Sequence, residues 1–263
     1  MVLVKDLAKI IEEKAPKFLK EDFDNVGLMV GDKNKEVNTV LLALDCTKEV
    51  IKEAVENNVD LIITHHPLIF KKPKSIISGD LLGDKVIDLI KNDINLYSCH
   101  TNLDSAKGGI NDMLLELLNL KHSKIIESSS IKGFEDCGLG RIVDLEEVIE
   151  LDEIINKLKK RLNMKNMRVV RGAKNINKLA VINGSGQDFF YTAKELGVNC
   201  IITGDTTYHF ASDFKEYGIN IIDAGHFSTE WLAFIKSLEF LKNKFKDIKF
   251  IISEKCEDPY DFI

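Results

Sequence analysis

Four histidines and two carboxylates lie at or just after the ends of apolar runs, where side chains could carry chemistry. They are His65, His66, His100, His226, Asp104 and Glu230. Imidazole nitrogen and carboxylate oxygen together form a donor set that suits Zn²⁺, Mn²⁺, Fe²⁺ or Ni²⁺. Six donors suit two ions better than one, and a bridging carboxylate would hold two ions roughly 3.5–4 Å apart around a hydroxide. The set therefore favours a dinuclear metal site.

Each of these side chains taken alone also has a structural interpretation. A single histidine at a strand end is more often hydrogen-bonded within the fold than bound to a metal, and His122 and His209 are interpreted in that way. His226 and Glu230 are four residues apart, which is one turn of a helix, where such pairs are often only solvated neighbours. The metal interpretation rests on the concentration of all six donors at strand ends.

The adjacent pair in IITHHPLIF raises a question of direction, because neighbouring residues of a β-strand point to opposite faces. Pro67 cannot continue a central strand, and it restrains His66 to extended backbone angles. We therefore predict that the strand ends at Thr64 or His65. Beyond that point the alternation lapses, so both imidazoles can reach one cavity and each can bind a different ion.

The elements that must position these donors alternate between strand and helix. Apolar segments predict strands in VNTVLLALD, DLIITHH and INLYSCH, and amphipathic segments predict helices in KEVIKEAVENN and DKVIDLIKND. This order is typical of an α/β fold with mostly parallel sheets. Ligands of such sheets collect outside the carboxyl ends of the strands, where the donors lie.

The second half of the chain repeats this plan. NCIITGD corresponds to DLIITHH, and INIIDAGHFSTE corresponds to INLYSCHTNLD. We predict two similar α/β domains, residues 1–125 and 126–263, with the metal site between them at the strand ends. The segment TEWLAFIKSLEFLKNKF is predicted to form one long final helix.

Three further segments are open to a functional or a structural interpretation. VINGSGQDFF places Gly184 and Gly186 between a strand and a helix, where a tight turn is slightly favoured over a ligand-binding loop. FDNVGLMVGD is interpreted by itself as a turn. Lys107, Arg141 and Lys174 could contact phosphates, although exposed basic side chains are usually only solvated.

Composition limits the class of protein. The chain has 263 residues, is 44% hydrophobic and 30% charged, and has a net charge of −6, which argues against a dedicated nucleic-acid binder. Its five cysteines include no CxxC pair, which indicates reduced thiols and a cytoplasmic location. The first residues, MVLVKDLAKIIEEKAP, are charged throughout and do not resemble a signal peptide. No run reaches the roughly 18 apolar residues of a membrane span.

The motifs resemble, in the same order, those of the GTP cyclohydrolase 1 type 2 homologs, also called NIF-three-like dinuclear-metal proteins. The matching motifs, between residues 24 and 231, are DNVGL, THHPLIF, HTNLD followed by GG, GSG, and GH-x3-E. The resemblance implies two α/β domains around two divalent ions. The ligands that it implies are His65, His66, Asp104, His226 and Glu230. Asp104 is then the expected bridge, and His100 is a neighbour of the site or a proton carrier.

The resemblance also implies an assembly and an activity. Members typically form ring-like homohexamers, and some carry an inserted domain that this chain is too short to hold. The family name implies a GTP cyclohydrolase, in which a metal-bound hydroxide attacks C8 of guanine and His100 donates a proton. Two alternatives stay open: a metal-dependent phosphodiester hydrolase, and a non-enzymatic ring scaffold that binds protein or nucleic-acid partners.

Overall fold

In the computed structural model, which describes residues 1–122, 124–172 and 174–261, helices and strands alternate through most of the chain. The helices are α1 (Val4–Lys14), α2 (Lys48–Glu56), α3 (Leu81–Lys91), α4 (Thr101–Ser105), α5 (Ile110–Leu117), α6 (Leu151–Arg161), α7 (Phe190–Glu195), α8 (Tyr208–Glu216), α9 (His226–Ser237) and α10 (Glu239–Lys244). The strands are β1 (Gly27–Val30), β2 (Thr39–Ala43), β3 (Leu61–Thr64), β4 (Asn95–Ser98), β5 (Lys124–Ser128), β6 (Gly138–Glu150), β7 (Arg168–Val170), β8 (Asn175–Ser185), β9 (Cys200–Gly204), β10 (Asn220–Asp223) and β11 (Lys249–Ile252). The α/β class predicted from the sequence is confirmed.

The chain divides into two units. The first comprises Met1–Leu103 and Ser237–Glu257, and the second comprises Asp104–Lys236 with the residues from Asp258 onward. This division differs from the consecutive halves 1–125 and 126–263 predicted from the sequence, because β11 pairs with β2 in the sheet of the first unit.

The sheet of the first unit has the order β1-β4-β3-β2-β11. Its pairs are parallel except for the edge strand β1, which runs antiparallel to β4. All four residues of β3 are buried, as expected for a parallel strand covered on both faces. The register pairs Thr64 with Ala43 and with Ser98, so the carboxyl ends of β2, β3 and β4 lie side by side.

Helix α2 shows how the sequence sets the elements that cover this sheet. The Thr47 hydroxyl accepts a hydrogen bond from the Val50 amide at 3.1 Å and caps the helix at its first turn. Val50, Ile51 and Ala54 are buried on one face of the helix and join the same apolar cluster as Ile62 of β3. The spacing of these apolar residues thus fixes which side of α2 packs against the sheet.

The sheet of the second unit is mixed. Its order is β5-β6-β8-β9-β10-β7, with parallel pairs from β8 to β10 and antiparallel pairs elsewhere. Phe190, Ile201, Phe214 and Ile221 are buried together in its apolar core. The parallel central strands end near Asp223, three residues before α9 begins.

The structure corrects two predicted elements. The long final helix is two helices, α9 and α10, separated by Leu238 with φ −102° and ψ 2°. The apolar periodicity continues through Leu238 and no helix-breaking residue interrupts it, so the sequence does not mark this break. Leu238 is buried, which indicates that packing sets the position of the break. FDNVGLMVGD contains the edge strand β1 and is not only a turn. The buried and half-buried residues of β1 do not alternate, so the segment lacks the pattern by which strands are recognised. Within the described part of the chain, no helix is both long and apolar enough to span a membrane.

Candidate metal centre

The first unit holds a histidine cluster, made of His65, His66 and His100. The first two follow β3 and the third follows β4, and because these strands are parallel and in register, the three side chains meet at one edge of the sheet. The ring centroid of His65 lies 5.0 Å from the ring centroid of His66 and 5.0 Å from that of His100. One potential ligand atom from each ring lies within 4.8 Å of the other two. The structure therefore brings these three predicted residues together.

The backbone explains how adjacent histidines reach the same cluster. Strand β3 ends at Thr64, as predicted, and the Thr64 hydroxyl donates a hydrogen bond to the His66 carbonyl at 2.9 Å. The His66 amide donates to the Leu44 carbonyl at 2.9 Å. These bonds turn the chain at the strand end, so the rings of His65 and His66 are tilted by 46° and do not lie on opposite faces.

Oxygen acceptors orient both imidazoles. The buried His65 ring donates from Nδ1 to the Cys99 carbonyl at 2.9 Å, and the half-buried His66 ring donates from Nδ1 to Asp45 Oδ1 at 3.0 Å. A neutral imidazole that donates from Nδ1 carries its lone pair on Nε2. Metal-binding histidines in proteins are held in this way by a carbonyl or carboxylate behind them.

His100 has the same arrangement with a buried carboxylate. Its Nδ1 donates to Asp24 Oδ1 at 2.8 Å, while the amide and hydroxyl of Thr101 donate to Asp24 Oδ2 at 3.1 and 2.5 Å. Burial would raise the pKa of Asp24, but hydrogen bonds from His100 and Thr101 outweigh it and lower the pKa to about 2. Asp24 therefore stays ionised at neutral pH and fixes the His100 ring.

The second unit holds a carboxylate cluster, made of Asp104, Asn183, His226 and Glu230. The Asn183 side-chain amide donates to Asp104 Oδ1 at 2.9 Å and to Glu230 Oε1 at 3.0 Å, and both carboxylates are buried. His226 Nε2 lies 3.1 Å from Glu230 Oε2, and its Nδ1 donates to Asp205 Oδ2 at 2.7 Å. One amide thus positions two carboxylates next to an oriented imidazole.

Gly184 makes room for this cluster. Its φ is +56°, and a Cβ there would lie 2.2 Å from Glu230 Oε1 and 3.3 Å from His226 Cε1. The Gly184 amide donates to the Thr229 hydroxyl at 3.0 Å, which ties the end of β8 to helix α9. VINGSG is therefore more than the tight turn favoured in the sequence analysis, since its first glycine packs against the carboxylate.

Sequence reasoning missed the residues that orient the imidazoles. Asp45, Asp205 and Asn183 were not singled out, and Asp24 was considered only as part of a turn and of the DNVGL motif, without a role. Asp205 directly follows the apolar strand β9 and Asp45 follows β2, so a search for carboxylates at strand ends would have found both. Asn183 lies inside β8, where no sequence signal separates it from a structural amide.

The structure also shows whether Arg141 and Lys107 are accessible to a phosphate. Arg141 has no exposed side-chain surface; it donates from Nε to Asp112 Oδ1 at 2.5 Å and from Nη1 to the Gly138 carbonyl at 2.7 Å. It therefore cannot meet a phosphate from solvent, and that suggestion is wrong. Lys107 is exposed and paired with Asp136 at 2.8 Å.

The two clusters fit divalent metal ions by the chemistry of their donors. They offer neutral imidazole nitrogen and ionisable carboxylate oxygen, which suit Zn²⁺, Mn²⁺, Fe²⁺ and Ni²⁺. Each of the four imidazoles donates from Nδ1 to an oxygen atom, so the same ring atom, Nε2, carries the lone pair in all of them. These are candidate metal-binding clusters of histidine and acidic side chains.

Comparison with known proteins places the chain in a family. It matches the model for Duf34/NIF3 (NGG1p interacting factor 3) over residues 2–259. A Clostridium perfringens protein named GTP cyclohydrolase 1 type 2 homolog is 54% identical over 260 residues, covering 98% of each chain. A Clostridium acetobutylicum protein of the same name is 49% identical over 264 residues, again covering 98% of each. The crystal structure of Staphylococcus aureus hypothetical protein SA1388 superposes with a TM-score of 0.90 at 33% identity, covering 99% of each chain. The chain therefore belongs to the Duf34/NIF3 family.

Proposed function

We propose that this protein is a divalent-metal-dependent hydrolase that acts on a nucleotide, with GTP as the candidate substrate. The observation that carries the proposal is the oxygen acceptor behind each of the four imidazoles, a feature of metal-binding histidines. The name shared by the two Clostridium relatives supports GTP as the substrate to test first.

The proposed site binds two ions, drawn from Zn²⁺, Mn²⁺, Fe²⁺ and Ni²⁺. The proposed ligands are His65, His66, Asp104, His226 and Glu230. Asp104 is proposed as the bridge, as the family resemblance implies, because a carboxylate has two oxygens that can contact two ions, and Asn183 orients this carboxylate. The proposed homohexameric ring, the cytoplasmic location and any nucleic-acid partner stay predictions from the sequence.

The chain's own residues then have defined tasks. The ions, when bound, lower the pKa of a water molecule so that it can act as a nucleophile near neutral pH. His100 is proposed to carry a proton to the purine nitrogen that separates from C8 as the imidazole ring opens. The ionised Asp24 keeps His100 Nδ1 protonated, so that Nε2 is the atom that exchanges protons with the substrate.

The test is turnover of GTP by purified protein reconstituted with Zn²⁺ or Mn²⁺. We expect a product that depends on metal, with release of formate, and we expect His100→Gln to lower kcat by about 100-fold because general acid catalysis contributes at least that much. Metal content should be unchanged in His100→Gln, and His209→Gln serves as the matched control outside both clusters. If wild-type protein forms no more product than His65→Ala, GTP hydrolysis is ruled out.

The carboxylates that accept hydrogen bonds from the imidazoles are expected to increase the affinity for metal. Asp45→Asn and Asp205→Asn should each weaken metal binding by about 10- to 100-fold, because the amide no longer offers a full negative charge to hold the ring. Competition with a chromogenic chelator measures the affinity. Asp136→Asn, which changes an exposed carboxylate paired with Lys107, should leave it unchanged. Equal affinities in all three variants would show that these acceptors do not support metal ligands.

A further inference from the structure

Two exposed aromatic side chains border the histidine cluster. Phe23 is 65% exposed and Phe70 is 40% exposed, and their ring centroids are 6.1 Å apart. The Phe70 ring also lies 6.3 Å from His100, at an interplanar angle of 81°. A single exposed phenylalanine is ordinary. Two in contact, one of them against a candidate proton carrier, form an apolar surface at the edge of a polar site.

The rings are held in place by the residues that orient the cluster. Asp24 follows Phe23 directly, and its carboxylate is fixed by His100 and Thr101. The next residue, Asn25, donates from its side chain to the Ile69 carbonyl at 2.6 Å, which joins this loop to the residue before Phe70. The two chain segments that carry the rings are therefore tied to each other before any ligand arrives, which reduces the entropy cost of binding.

The segment that follows Phe70 carries a local positive charge, whereas the residues around Phe23 are acidic. Lys71, Lys72 and Lys74 follow Phe70 and are exposed, and residues 70–79 contain no acidic side chain. The chain as a whole carries a net charge of −6, so this segment has the opposite sign to the average surface. An aromatic surface beside exposed lysines matches a ligand with a flat ring and phosphates.

We propose that Phe23 and Phe70 form a stacking surface for the base of a purine nucleotide and that the lysines after Phe70 attract its phosphates. The proposal deepens the proposed function and rests on it for the identity of the substrate. Every base has a π-face, and stacking on an aromatic side chain needs no base-specific hydrogen bonds. A base on Phe70 lies beside His100, the residue proposed to exchange a proton with it.

The test is calorimetric titration of metal-depleted, full-length protein with GTP and, separately, with tripolyphosphate. We expect Phe70→Ala and Phe70→Leu each to weaken GTP binding by about 10-fold, because both remove the aromatic face. Phe70→Trp should keep the affinity, and tripolyphosphate binding should not change in any of the three. Ile77→Ala is the matched control, since Ile77 is a 54% exposed apolar residue of the same segment.

The outcomes separate this inference from the proposed reaction. The stacking surface is ruled out if Phe70→Ala binds GTP as tightly as wild type does. It is also ruled out if Phe70→Ala weakens the binding of tripolyphosphate by the same factor as the binding of GTP, or if wild type binds GTP no more tightly than tripolyphosphate. If wild type binds GTP through Phe70 but forms no product with metal, the proposed reaction is contradicted and the stacking surface is supported. If GTP is converted with the same KM in wild type and Phe70→Ala, the reaction stands and the stacking surface fails.

Discussion

Replacing both His65 and His66 by alanine is expected to remove both of the proposed metal ions from the protein. A four-ligand zinc site in a small domain is worth about 10–16 kcal/mol, so one ligand accounts for roughly 3 kcal/mol, or on the order of 100-fold in affinity. If each histidine binds a different ion, each single variant should lose one ion per chain and keep the other. The double variant should retain neither after gel filtration.

Different groups orient the two rings. The two rings are tilted by 46° with centroids 5.0 Å apart, and different groups hold them from behind, the Cys99 carbonyl for His65 and the Asp45 carboxylate for His66. Two imidazoles fixed from different directions present their Nε2 atoms along different lines. This arrangement is compatible with one ion for each histidine, as proposed, and the number of ions kept by each single variant tests it.

Elemental analysis of the desalted protein measures the ions per chain, and His209→Ala is the control because His209 is exposed on α8. His65 is buried and donates a hydrogen bond to the Cys99 carbonyl, so His65→Ala will also lower stability by removing that buried hydrogen bond. Thermal unfolding of the metal-depleted variants measures this loss separately. Two ions per chain in a folded single variant, or none in either, would contradict the assignment of one ion to each histidine.

Periodicity in the sequence predicted the central elements of both units but not the edges. Strands such as β3 are continuous apolar runs because both faces are covered, and that signal is local. Strand β11 is only partly buried, and its place beside β2 depends on a partner more than 200 residues earlier in the chain. The break at Leu238 and strand β1 likewise depend on tertiary packing, which local patterns do not contain.

The ligand candidates were identifiable from the sequence because strand-end histidines are few and the family motifs mark them. The residues that orient them were not, since aspartate is common at strand ends and only geometry shows which one faces an imidazole. Gly184 illustrates the same limit. GSG predicts a turn equally well whether or not Glu230 occupies the space that a Cβ would fill. The bond between Asp24 and His100 joins residues 76 positions apart and could not be inferred from spacing.

Arg141→Met is expected to lower the free energy of unfolding by about 3–5 kcal/mol, the usual cost of removing one partner of a buried ion pair. The guanidinium has no exposed surface, and its loss removes the cation beside Asp112 and the hydrogen bonds to the Gly138 and Gly140 carbonyls. Urea unfolding followed by circular dichroism measures the change. Lys107→Met is the matched control: its pair with Asp136 is exposed, so no measurable change is expected.

The pH dependence gives a second, independent readout of the same pair. Burial would raise the pKa of Asp112, but the hydrogen bond and charge of Arg141 and the Gly108 amide lower it overall. A carboxyl with a lower pKa in the folded state stabilises the fold above its unfolded pKa, and this contribution is lost as the pH falls. Wild-type protein should therefore lose stability on acidification more steeply than Arg141→Met, in which the cation is absent. The two acid profiles would run parallel if Arg141 served only to fill space, because methionine occupies a similar volume without the charge.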